Sequence, residues 1–180
     1  AREKLQSNIK KRIETVKNNN SGLYNQYVEA CNSIKSESSY VKNSGRFPLT
    51  ATGKIDFYPL FAEMCMTFSR SAWGLVIPSS IATGDKNKYF FSKLVEENRL
   101  KLIFDFENSE KFFDIEQTKK FCIIVAGQPC ENEQNVEGHF YMTRVDQISD
   151  MSRRIILRTS LFKQFNPNTL TCPIFRTQKD

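Results

Sequence analysis

Two apolar runs, "LKLIF" and "FCIIVAG", are separated only by the polar and charged stretch "DFENSEKFFDIEQTKK" at residues 105–120. Runs of this length, strongly apolar and broken only by Lys101 rather than on alternate positions, belong to strands buried on both faces of a sheet. The stretch between them is too short for a helical crossover, so the two strands must pair antiparallel, as a hairpin expected at the sheet edge. Such a hairpin needs a partner layer on each side. Within the polar connection stand two adjacent aromatic residues, Phe112 and Phe113, an unusual load for a turn.

The rest of the chain supplies the partner layers. "IDFYPLFAEMCMTFSR" reads as an apolar helix that tolerates Pro59 in its first turn. "WGLVIPSS" is a short strand ended by Pro78, "KYFFSKLVEENR" a helix with Phe90, Phe91, Leu94 and Val95 inward, and "HFYMTRV" a further strand. Alternating helices and strands of this kind predict an α/β sheet. Upstream, Leu5, Ile9, Ile13 and Val16 mark one amphipathic helix closed by "NNNSG". A second helix, from Leu23 to Ser38, carries Tyr27, Ala30, Cys31 and Ile34 on one face. The expected organisation is a helical arm over residues 1–43, a sheet domain over 44–160 and a connecting segment over 161–180.

Twenty-six basic residues against 20 acidic ones give a net charge of +6, which suits a polyanionic partner. The five cysteines form no C-x-x-C pair and, with a single histidine, His139, no zinc-ligand pattern, so no metal site is expected. Reduced thiols point to the cytoplasm. No apolar run approaches the ~20 residues that span a bilayer, so no membrane partner is expected. Neither G-x-G-x-x-G, nor G-x-x-x-x-G-K-[ST], nor a G-x-S-x-G elbow occurs, and His139, beside Phe140 and Tyr141 in a strand, reads as a structural or surface histidine rather than a catalytic one.

The ordered set "GKIDFYPLFAEMCMTFSRSAWGLVIPSS", "LKLIFDFENSEKFFD" and "KFCIIVAG" resembles the second half of the catalytic domain of adenine-N6 DNA methyltransferases, the type fused into restriction-modification enzymes. In that family a D-x-Y-x-x-F helix, a G-x-x-I-P strand and a phenylalanine-bearing hairpin follow one another in this order. The resemblance covers residues 44–180 and implies the second half of a Rossmann-like methyltransferase sheet. The family's glycine-rich cofactor loop and catalytic Asn-Pro-Pro-aromatic motif lie upstream of this region, and neither occurs in the sequence. A piece of a longer chain is therefore expected, with no catalytic residue of its own, inactive alone, and completed by the rest of the parent polypeptide.

The resemblance implies S-adenosylmethionine as cofactor, its main binding motif outside this stretch, and double-stranded DNA as partner. Phe57 and Phe61 match positions that help to enclose the cofactor's adenine; the plainer expectation for i, i+4 aromatics is packing into the helix core. Phe113 matches the ring that stacks on the flipped target base, with Phe112 in the core; otherwise both rings fold back onto the sheet. Lys119 and Lys120 are candidates for DNA-backbone contacts, or simply a solvated strand edge. An incomplete sheet also offers a raw edge through which two copies can associate. Two other readings stay open: a non-catalytic DNA-binding or scaffold module of a restriction or phage-defence protein, and an unrelated α/β binding domain.

Overall fold

The computed structural model describes residues 2–177 and consists of two units, one ending at Arg46 and one beginning at Phe47. The first holds helices α1 (Arg2–Asn19) and α2 (Ser21–Asn43). The expected polar break between them contracts to Asn20, whose side-chain oxygen accepts from the Leu23 N–H at 3.0 Å and so caps α2. α2 outruns its expected end at Ser38 because its polar tail satisfies itself: Asn43 Nδ2 donates to the Ser39 carbonyl at 2.8 Å. It stops where Gly45 takes φ +71 just beyond the Ser44 cap. No residue of α2 is buried.

In the second unit the chain runs through α3 (Phe57–Phe68), β1 (Trp73–Pro78), α4 (Ser80–Thr83), α5 (Lys88–Glu96), β2 (Leu100–Glu107), β3 (Lys120–Ala126), β4 (Asn135–Met142), β5 (Ile155–Arg158) and α6 (Thr159–Phe165). The strands form one mixed sheet in the order β1-β3-β2-β4-β5. β3 runs antiparallel to both β1 and β2, β4 is parallel to β2, and β5 is antiparallel to β4. The β2–β3 hairpin is present, but not at the sheet edge. β3 inserts between β1 and β2, and β4 and β5 extend the sheet beyond β2. Strand order is decided by which apolar faces meet, a non-local choice that the spacing of the hairpin does not contain.

Both faces of the hairpin are covered, as its largely apolar strands require. Cys122, Ile124 and Ala126 of β3 and Leu100 and Ile103 of β2 join Ile81, Phe90, Phe91, Leu94 and Phe162 from the short helices in the main core. On the other face a smaller cluster forms from Phe104, Phe106 and Met142, with Phe112, Phe121, Ile123 and Ile148 against it. The segment after α6 returns to the main core through Leu170 and Cys172, where the Cys172 N–H donates to the Ala82 carbonyl at 2.9 Å. The end of the expected connecting segment, residues 178–180, lies outside the described residues. Among the described residues no helix is long and apolar enough to cross a membrane, and no group of three His, Cys, Asp or Glu side chains is arranged to hold a metal ion.

Candidate functional site

β1 and β2 point the same way, so Pro78 and Glu107 end at one rim of the sheet, and β3 sets out from that rim at Lys120. The carboxyl ends of parallel strands are where α/β sheets receive ligands. A cavity of about 400 Å³ opens there, walled by Val76, Ile77, Pro78, Phe113, Ile115 and Phe121, with Glu116, Lys119 and Lys120 at its margin. Its wall is almost wholly apolar, which suits a flat ring better than a charged group.

The two phenylalanines of the connection separate. Phe112 turns inward, edge-on to Phe106 at 5.5 Å and to Phe121 at 5.3 Å. Phe113 stands edge-on to Phe121 at 4.9 Å and keeps 44% of its surface exposed at the cavity. The segment that carries them hangs from Asn108, which is fully buried. The Phe113 N–H donates to Asn108 Oδ1 at 3.0 Å, while Asn108 Nδ2 donates to the carbonyls of Phe113 (3.1 Å) and Ile115 (3.3 Å). Asn108's own N–H donates to the Lys119 carbonyl at 3.0 Å and closes the base of the loop. Sequence reasoning did not single out Asn108; the available signal was an asparagine immediately after a strand, where its amide can bond the turn that follows.

Beneath the rim, Ser79 Oγ donates to the buried Asp105 Oδ1 at 2.5 Å, tying the end of β1 to β2 across β3. Burial pushes the Asp105 carboxyl above its ordinary value, and the Ser79 hydrogen bond only partly opposes it. Burial, with the nearby Asp105 charge, likewise pushes the Cys122 thiol up to about 12. Cys122 and Cys172 are therefore inert packing groups, and every cysteine is a free thiol.

The two candidate lysines differ. Lys119 pairs with Glu116 at 3.2 Å on the open surface. Lys120 pairs with Glu107 at 2.8 Å and lies 4.6 Å above the Tyr141 ring. Burial alone would lower the Lys120 ammonium, but the Glu107 carboxylate outweighs it and holds the group above its usual value. Tyr141 adopts φ +55 at the point where the β2–β4 register slips, and Arg176 also approaches its ring, at 5.2 Å from the ring centre.

Phe57 and Phe61 do not pack into the core. They are 74% and 57% exposed on α3, and neither lines the cavity at Phe113. Leu60, Ala62 and Glu63 take the inward face instead. Glu63 is buried with both oxygens occupied, accepting from the Leu49 N–H at 3.1 Å and from Thr50 Oγ1 at 2.5 Å. Two exposed rings one turn apart fit the flat purine end of a nucleoside cofactor, and no charged group of α3 beside them fits its amino-acid end. His139 is buried, edge-on to Phe104 at 4.7 Å.

A comparison with solved structures finds the type IIG restriction endonuclease BpuSI at 22% sequence identity and a TM-score of 0.42, covering 59% of this chain and 13% of that one. The chain thus spans a small part of that enzyme's length. No curated protein matches the sequence. A family model does: residues 27–113, from within α2 to the exposed ring at the cavity, match the Eco57I restriction-modification methylase family.

Proposed function

We propose that this chain is part of an S-adenosylmethionine-dependent DNA methyltransferase of a restriction-modification enzyme, acting on the N6 amine of adenine. The observation that carries the reading is the family match over residues 27–113. The apolar cavity at the strand ends supports it further, because an exocyclic amine can be methylated only after its base has left the duplex for a pocket that stacks it. In this reading Phe113 is the stacking ring and the apolar wall around Pro78 and Phe121 excludes water from the extruded base.

The bound cofactor would supply the electrophilic methyl group, with Phe57 and Phe61 enclosing its adenine. The glycine-rich loop and the Asn-Pro-Pro-aromatic motif are absent from the 180 residues, so the chain contributes pocket walls and does not methylate alone. Lys119, whose exposed ion pair with Glu116 is worth little, is free to exchange that partner for a phosphate of double-stranded DNA. Lys120 is the weaker phosphate candidate, since Glu107 and the Tyr141 ring already hold it.

The test is methyl transfer from labelled cofactor to DNA by the longer polypeptide in which this sequence occurs, comparing wild type with Phe113→Ala. Stacking is worth ~1–3 kcal/mol per base, so the variant should lose roughly fivefold to somewhat over a hundredfold in rate. An unchanged rate removes the stacking assignment. No transfer by wild type replaces the enzyme with a non-catalytic DNA-binding module.

A further inference from the structure

The loop that presents Phe113 has almost nothing of its own to hold it in shape. Every residue from Ser109 to Lys119 is exposed except the half-buried Phe112. The Glu116–Lys119 ion pair lies on the open surface, where such pairs constrain little. A segment with so few buried contacts opens readily. A stacking ring on a mobile loop would have to be ordered anew each time a base arrived, at a cost in affinity and rate.

We propose that Asn108 is the positioning residue of the base pocket: its buried amide fixes the backbone on both sides of the Phe113 peptide and so sets the ring at the cavity before a base enters. The role rests on the reading of that cavity as the target-base site. Asparagine has the required chemistry in a short side chain. One oxygen accepts the Phe113 N–H, and one amino group donates to the Phe113 and Ile115 carbonyls. Aspartate would keep the acceptor and lose both donors, and alanine would lose every one of these bonds, the longer one from Nδ2 to the Glu116 carbonyl at 3.5 Å included. Asn108 is fully buried and its bonds to the loop are part-buried, so a lost partner costs more here than on the open surface. Lys111, at φ +55, turns the chain back so that its N–H meets the Asn108 carbonyl at 3.0 Å, completing the use of every polar group of this residue.

Hydrogen exchange in the unmodified protein gives the first test. The Phe113 amide should be protected at least about fivefold over the exposed amides of the same loop, the factor that a net hydrogen bond of ~1 kcal/mol gives. Exchange at the rate of an open chain overturns the proposal without any substitution.

The second test compares Asn108→Ala, Phe113→Ala and the double variant in the methyl-transfer assay on the longer polypeptide. The Asn108 N–H to the Lys119 carbonyl, which the substitution leaves in place, reports that the hairpin is still closed. Asn108→Ala should free the Phe113 amide and lower the rate constant for methyl transfer by roughly tenfold or more. The double variant should then be no slower than the slower single one, since both changes remove the same ring. Additive losses, or a wild-type rate in Asn108→Ala beside a defective Phe113→Ala, overturn the role of Asn108 alone. A wild-type rate in Phe113→Ala overturns the base-site reading and, with it, the function given to Asn108.

Discussion

Asp105 is a carboxyl buried where little water reaches it. Its carboxyl is raised by burial, so the native state keeps its proton to higher pH than the unfolded chain does. Between the two values the native state binds more protons, and stability falls as pH rises. The full contribution is present below ~3.9, the unfolded value. It declines from there until the raised native value is passed, then stays level. Glu97, Glu116, Glu133 and Asp150, each held below its ordinary value, slope the other way, so the test is a difference between proteins. Denaturant unfolding at several pH values should find Asp105→Asn gaining on wild type as pH climbs through that window. A constant difference would mean that Asp105 does not titrate differently on folding. Tyr141 permits a second prediction at this scale. Its left-handed backbone is strained in any residue with a Cβ, while its ring gains from Lys120 and Arg176. Tyr141→Ala keeps the strain and loses the ring, whereas Tyr141→Gly loses the ring and releases the strain. Glycine should therefore unfold at the same or higher denaturant concentration than alanine, reversing its usual strand penalty of ~0.5–1 kcal/mol.

Among the elements, α3 is the one whose surface departs most from a soluble helix. Phe57, Phe61 and Phe68 lie exposed along it, while Leu60, Ala62 and Glu63 face inward. Phe57→Ser and Phe61→Ser should each change unfolding free energy by no more than ~0.5 kcal/mol, the range of open surface positions. In the longer polypeptide the same changes should weaken cofactor binding measured by titration calorimetry. A large stability loss would mean that these rings pack after all. Sequence periodicity reveals a helix here but not which face turns inward, because α3 is apolar nearly all round. The long elements were legible for the opposite reason. The leader helices and the β2–β3 hairpin each repeat one pattern over many residues. α4, β5 and α6 were not read, being four to seven residues long with two buried positions apiece. At the site, the split of Phe112 inward from Phe113 outward was readable from the resemblance. Asn108 was not, since its worth lies in side-chain bonds that exist only once the loop has closed.

At the scale of the molecule, stability belongs to the unit that begins at Phe47. Its main core draws on residues from Leu49 to Phe175, uniting α3–α6, the sheet and the returning tail. The helical unit is built differently: no residue of α2 is buried, and Leu5, Ile9, Leu23, Tyr27 and Ile34 are all exposed. Two helices without a buried core are marginal in water. Yet the family match begins at residue 27, inside α2, and crosses the boundary between the units, so the similarity takes in the end of the helical segment as well as part of the unit that holds the core. These facts separate folding from function in a way that truncation tests. Residues 47–180 alone should unfold cooperatively, with a midpoint within a few degrees of the whole chain, because no core residue has been removed. Residues 1–46 alone should have partial helicity that melts gradually on heating, followed by circular dichroism. Loss of cooperative unfolding in 47–180 would instead mean that the core cluster is not sufficient, and that α1 and α2 contribute to stability despite their exposed surfaces.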